Sequence, residues 1–292
     1  DSYLASFDHS LSENMDIVFV DQRGTGPVHG LSCPLAQAVL DVAPVRLDQP
    51  QDAIATARTY VSDCIAELGG TDLLPHVGTD QAIRDVEAFR QAIGAPQVWL
   101  YGESYGTQLV QAYATSFPQA VRGVIIDGVV DLTLDNEGFY RRYTLASEAL
   151  LAETLAACAG IAACKADMPG DAAQVYGDLA ARLAKGPVAL PFTLADGSQT
   201  MRNLTSALLE SNAFYALYTP AGRVEFLRAL AAAGRGDLTP MLQLGYANMY
   251  LDPETEIGLQ DAGWFAAAFY AITCADYDSG QGTADERAAR IM

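Results

Sequence analysis

The chain has 292 residues, half of them hydrophobic, enough to bury a large core in one large domain or in a domain carrying an insertion. Its 36 acidic and 17 basic residues give a net charge of −19, which opposes binding to nucleic acid or anionic membranes and suits solubility in a secreted or salt-exposed protein. No apolar run of about 18 residues is present, so the sequence predicts no membrane span, and no secretory leader is visible ahead of Asp1, which leaves a removed leader or a fragment open.

The first element lies in "MDIVFVDQRGTG". The apolar run Ile17 to Val20 suits a buried parallel strand, ending in Asp21 and a turn at Gly24 and Gly26. Residues 27–78 are rich in proline and read as irregular, with one helix over 51–67. "TDQAIRDVEAFRQAIGAP" reads as a helix, with Thr79 as N-cap, Asp80 in the first turn and Gly94 as its stop. A strand over 97–101 follows, then a turn, then a helix whose inner face carries Leu109, Val110, Tyr113 and Phe117. "VRGVIIDGVVD" supplies another buried strand. This alternation predicts an α/β fold, a mostly parallel sheet covered by helices on both faces.

After Asp131 the texture changes. Helical periodicity runs through 137–157, 171–184, 203–217 and 222–234, with an extended excursion over 186–200. The expected division is a core over 1–131, a helical insertion over 132–272 and a return toward the core over 273–292.

The 5 cysteines show no Cys-x-x-Cys pair and no histidine at zinc-ligand spacing, so no metal site is expected. Cys158 and Cys164 bracket the small-residue loop "AGIAA", where a disulfide closes a tight turn. Cys33 and Cys64 complete the preferred reading of two disulfides in an oxidising compartment, with Cys274 left over and its partner outside this chain. The alternative is five buried free thiols in a reducing one.

The chemistry is concentrated in Gly102-Glu103-Ser104-Tyr105-Gly106. A serine on a sharp strand-to-helix turn needs small neighbours two residues away, because side chains there clash. Such a turn lifts the Ser104 hydroxyl above the sheet edge at the positive end of the next helix. The Tyr105 N–H then faces the oxygen of a tetrahedral intermediate. A serine nucleophile needs a base, yet His9, His29 and His76 all precede Ser104. They sit in turn-like segments or demand another topology, so each reads as structural.

Together, "DIVFVDQRGTG" and "YGESYGTQLVQAYATSFPQAVRGVIIDGVVD" resemble the α/β-hydrolases of the prolyl aminopeptidase family, in its secreted tripeptidyl-aminopeptidase-like branch. The resemblance is close over 15–131 and looser through "ALYTPAGRVEFLRALAAAGRGD" and "AITCADYD". It implies an α/β-hydrolase fold with an inserted helical cap, no cofactor, Ser104 as nucleophile and the Tyr105 amide as oxyanion donor. It also implies that Asp21 to Gly26 shape the site floor, that Cys33 pairs with Cys64, and that the cap recognises a peptide substrate's free amino terminus with acidic side chains. The family's second oxyanion loop is expected before Asp1, and its catalytic acid and histidine beyond Met292, so the chain reads as truncated at both ends.

Other residues carry weaker signals. Glu103 is a candidate for binding a substrate terminus, with a buried, paired acid as the favoured reading. Glu210 and Asn212 are candidates to face the site from the cap, against a solvated helix face. Asp127 reads as supporting the turn into the cap, Arg23 as anchoring its own turn through carbonyls, and Phe214, Tyr215 and Tyr218 as core. The expected function is a secreted or periplasmic exopeptidase that releases N-terminal residues through an acyl-enzyme. An esterase on the same fold and a non-catalytic binding protein are the alternatives. Oligomeric state is not set by the sequence.

Overall fold

The computed structural model describes residues 9–43, 50–256, 265–277, 282, 283 and 286. Helices α1 (His9–Asn14), α2 (Gly26–His29), α3 (Pro34–Val42), α4 (Pro50–Glu67) and α5 (Thr79–Ala92) precede strand β1 (Val98–Glu103). Helix α6 (Tyr105–Ser116) and strand β2 (Val121–Asp127) follow. The rest comprises α7 (Asn136–Ala157), α8 (Ala162–Asp167), α9 (Ala172–Leu183), the strands β3 (Val188–Thr193) and β4 (Gln199–Leu204), α10 (Ser206–Ala216), α11 (Pro220–Gly234), α12 (Thr239–Asn248) and α13 (Ala266–Asp276).

Strands β1 and β2 pair in parallel, with Leu100 opposite Val124 and Glu103 opposite Asp127. The pleat turns Leu100 and Gly102 of β1 inward, while Trp99, Tyr101 and Glu103 point out. Behind the inward face lies a core of Ile83, Leu100, Val110, Tyr113 and Ala120. It joins α5 and α6 to β1. Leu109 and Phe117 flank this core, so the apolar stripe read for α6 is its packed face. Gly94 takes φ +69 just past α5, the left-handed residue that lets a helix stop.

Several expectations fail here. Ile17 to Val20 form no strand, and Val18, Phe19 and Val20 stay 51%, 55% and 52% exposed. Val124, Ile125 and Ile126 of β2 are exposed as well. Apolar runs in parallel strands are buried only where strands and helices cover them on both sides. Among the described residues β1 pairs with β2 alone, so that cover is missing. Thr79 is also the first residue of α5 rather than its N-cap, a position held by Gly78.

Helices α7 to α12 share a separate core with the antiparallel β3–β4 hairpin, centred on Leu204, Leu208, Phe226, Leu230, Met241 and Leu242. The starts of α7, α9, α10 and α11 are capped by the short polar side chains of Asp135, Asp171, Thr205 and Thr219, which satisfy N–H groups that the helix leaves open. The Asp135 carboxylate accepts from the Gly138 N–H at 2.8 Å, and the Thr205 hydroxyl from the Leu208 N–H at 3.2 Å. Residues 203–204, expected to be helical, are the end of β4, and Thr205 marks the switch. Helix α13 packs elsewhere, with Ala267, Ala268 and Ile272 against Leu31, Tyr60 and Val77.

Both expected disulfides are present. Cys33, just before α3, is bonded to Cys64 of α4, and Cys158 to Cys164 across the turn between α7 and α8. Cys274 is free and exposed.

Candidate active site

Ser104 separates β1 from α6 and holds φ 51, ψ −121, a positive φ that a non-glycine residue adopts only under strain. The turn is held by its backbone. The Ser104 N–H donates to the Asp127 carbonyl at 2.9 Å, tying the turn to the end of β2. A Cβ at Gly102 would lie 2.3 Å from the Gly106 carbonyl oxygen, so only glycine fits there. The expected mirror-image clash at Gly106 is not found, since a Cβ there would meet nothing within 4 Å. Ser104 is exposed, and Tyr105 opens the helix with an N–H the helix cannot satisfy.

Thr107 braces the turn from inside. Fully buried, it donates from N and Oγ1 to the Ser104 carbonyl at 3.0 and 2.7 Å. Its Oγ1 accepts from the Val130 N–H at 2.8 Å. Gln111 extends the brace, donating to the carbonyls of Thr107 and Val130 at 3.0 and 3.1 Å.

The Asp21–Gly26 turn reaches the same place. Gly24 and Gly26 both hold φ +82, and a Cβ at Gly26 would fall 2.7 Å from Asp21 Oδ2. The Tyr105 hydroxyl, beside Ser104 in sequence, lies 3.3 Å from Gln22 Oε1 in this turn and 2.8 Å from Thr79 Oγ1. Burial pushes the Tyr105 phenol above its ordinary pKa of 10.0. Arg23 does not anchor its own turn through carbonyls. It pairs in a fork with Asp85 of α5, through Nε to Oδ2 and through Nη2 to Oδ1 at 2.7 Å, which raises its pKa.

Residues 5–271 match the profile of the alpha/beta hydrolase fold. The chain belongs to this α/β-hydrolase family. It is 33% identical over 125 residues to "Tripeptidyl aminopeptidase" of Streptomyces lividans, covering 41% of this chain and 23% of that protein. It is 32% identical over 176 residues to "Serine protease Hip1" of Mycobacterium tuberculosis H37Rv, covering 57% and 33%. It is 31% identical over 133 residues to "Putative hydrolase YuaR" of Escherichia coli K12, covering 44% and 25%. The chain thus spans about a quarter to a third of the length of these relatives.

The structure places the other candidates as follows. Glu103 is exposed, not buried and paired, and makes no side-chain hydrogen bond or ion pair among the described residues. Asp127, its partner across the two strands, is exposed too. His29 and His76 are exposed, and neither bonds to Ser104; the His9 side chain lies outside the described residues. Glu210 lies at the surface of α10 with no bond to the elbow, and partial desolvation raises its carboxyl above the ordinary 4.5. Asn212 is not on a solvated face. It is fully buried, donating to the Met241 carbonyl at 2.8 Å and accepting from Asn248 at 2.9 Å.

The aromatic set is not core either. Tyr215 and Tyr218 are 44% and 66% exposed, and Phe214 packs on Tyr143, whose hydroxyl lies 3.2 Å from that of Tyr218. The sequence did not single out Thr107, Gln108, Gln111 or Asp276, and it marked Thr79 only as an N-cap, although these polar residues hold the elbow. Thr107 and Gln111 had a local signal, since spacings of three and four residues put them on one face of α6.

No helix among the described residues is long and apolar enough to cross a membrane.

Proposed function

We propose that this α/β-hydrolase is a serine peptidase of exopeptidase type, with Ser104 as nucleophile and the Tyr105 N–H as one oxyanion donor. One observation carries the reading. Ser104 holds a positive φ between a parallel strand and a helix, with a glycine before it that no other residue can replace. That arrangement presents an exposed hydroxyl at a helix N-terminus, where negative charge is favoured.

Attack of the Ser104 oxygen on a peptide carbonyl, with its proton passing to a base, gives a tetrahedral intermediate that collapses to an acyl-enzyme as the protonated amine leaves, and water then hydrolyses the ester. The reading needs a base and a second oxyanion donor at Ser104; neither His29 nor His76 is hydrogen-bonded to Ser104 in this structure. The names of the tripeptidyl aminopeptidase and serine protease relatives support peptide substrates with a free amino terminus. Helices α7 to α12, with their own core, are proposed as the cap. Glu103, exposed beside the nucleophile and without a side-chain bond among the described residues, is proposed to meet the substrate's ammonium group, and Glu210 to add negative charge from the cap. The two disulfides support a location outside the cytoplasm.

The test is hydrolysis of aminoacyl and peptidyl naphthylamides by the intact protein and its Ser104→Ala variant. Activity that requires both Ser104 and a free amino terminus is expected. Turnover of p-nitrophenyl esters alone would point to an esterase, and activity untouched by Ser104→Ala would sink the reading.

A further inference from the structure

Residues from three distant stretches meet beneath the elbow in one polar network. Asp276, the last residue of α13, accepts on both carboxylate oxygens. Its Oδ1 takes the Thr79 N–H at 2.8 Å. Its Oδ2 takes the Thr79 hydroxyl at 2.6 Å and the Gln108 amide at 2.9 Å. Thr79 and Gln108 are only 6% and 5% exposed, so these bonds are shielded from water. The next residue, Tyr277, donates its hydroxyl to Gln108 Oε1 at 2.7 Å, fixing which way that amide points. Thr79 Oγ1 in turn lies 2.8 Å from the Tyr105 hydroxyl.

The geometry has a direction. Gln108 and Tyr105 belong to the first turns of α6, which begins directly after Ser104. Asp276 therefore grips that helix at two points, through Gln108 and through Thr79 to Tyr105. It also supplies α5 with the N-terminal acceptor that Gly78 cannot provide, and a carboxylate is favoured there.

We propose that Asp276 is a positioning residue for Ser104, a carboxylate that sets the direction of the Tyr105 amide and the serine hydroxyl by holding the start of α6. The inference rests on the reading of Ser104 as the nucleophile. Asp276 touches no reacting atom and acts through Gln108 and Thr79.

An amide exchange tests it in the intact protein. In Asp276→Asn one acceptor becomes a donor facing the Gln108 amide, itself a donor. A nucleophile displaced by this mismatch should react about 10- to 100-fold more slowly with a fluorophosphonate probe and in kcat, with KM within about twofold. The double variant Asp276→Asn with Gln108→Glu restores the pairing in reverse. The Asn amide then donates to a carboxylate that still accepts from Tyr277. Its rate should return to within about threefold of the parent. A rate unchanged by Asp276→Asn, or a double variant no faster than the single one, overturns the proposal.

Tyr277→Phe, which removes only a hydroxyl, covers a failure of Asp276→Asn to fold. It should slow the same reaction by about threefold to tenfold with little change in melting temperature, and no slowing overturns the proposal. Hydrogen exchange reads the coupling without chemistry. Faster exchange at 104–108 in Asp276→Asn, with α10 to α12 unchanged, is expected, and unchanged exchange at 104–108 overturns it. Probe labelling that survives Ser104→Ala counts against the nucleophile reading alone. Labelling lost in Ser104→Ala but untouched in Asp276→Asn counts against Asp276 alone.

Discussion

Thr107 shows how a strained serine is kept in place. A positive φ at Ser104 costs free energy, and the surroundings must hold it. The Thr107 hydroxyl does so by donating to the Ser104 carbonyl at 2.7 Å and accepting from the Val130 N–H at 2.8 Å. Thr107→Val keeps the shape but leaves the Val130 N–H buried without an acceptor, at a cost of about 1–3 kcal/mol. Urea unfolding should show that loss, and hydrolysis should slow with it. A variant as stable and as active as the parent would remove Thr107 from the argument. Glu87 makes a second residue-scale prediction. Hydrogen bonds from Arg90, then Tyr113 and Gln91, hold its carboxyl down from 4.5 to about 2. A carboxyl depressed in the folded state stabilises it above the unfolded pKa and loses that contribution as pH falls through the folded one. The melting temperature should therefore drop between pH 4.5 and about 2, and Glu87→Gln should flatten the curve there. An equally steep curve in the variant would mean that another group sets the acid limit.

At the scale of elements, what the sequence made readable was local. Gly102 answers to a clash with the Gly106 carbonyl four residues along, and the Cys158–Cys164 loop is short enough to see by eye. Periodicity placed α5, α6, α7 and α11 within a few residues. Burial was not readable in the same way. The runs at Ile17 and Val124 have the right residues for inner strands, yet burial depends on neighbours that no local pattern reports. Asp276 and Thr79 lie 197 residues apart, so no spacing rule joins them. The Cys33–Cys64 link acts at this scale too. It closes a loop across a separation of 31 residues and clamps α3 to α4 beside Leu31, Val77 and Ala268. Cys64→Ser should cost about 2–4 kcal/mol, mostly by freeing the unfolded chain. In guanidinium unfolding, reducing agent should then cost the variant that much less than it costs the parent, because only Cys158–Cys164 is left to open; a variant of parental stability would mean that the clamp is idle.

At the scale of the molecule, the described residues hold separate cores. One, around Phe226, Leu230 and Met241, joins α7 to α12 with the hairpin, and another, around Leu100, Val110 and Tyr113, backs the elbow. No buried residue is common to the two. Cooperativity in unfolding follows shared burial, so these units should not melt as one. Phe226 has 0% exposure and sits in the middle of the helical core, where its replacement leaves a cavity. Phe226→Ala should cost about 3–5 kcal/mol there. The expected calorimetric trace has two transitions, of which this substitution lowers only one. Val110→Ala, which cuts into the core behind β1, should lower the other. Hydrogen exchange assigns each transition to its residues. If both substitutions shift a single shared transition, the helical unit is not an independent cap, and the elbow depends on it for stability rather than for substrate selection alone.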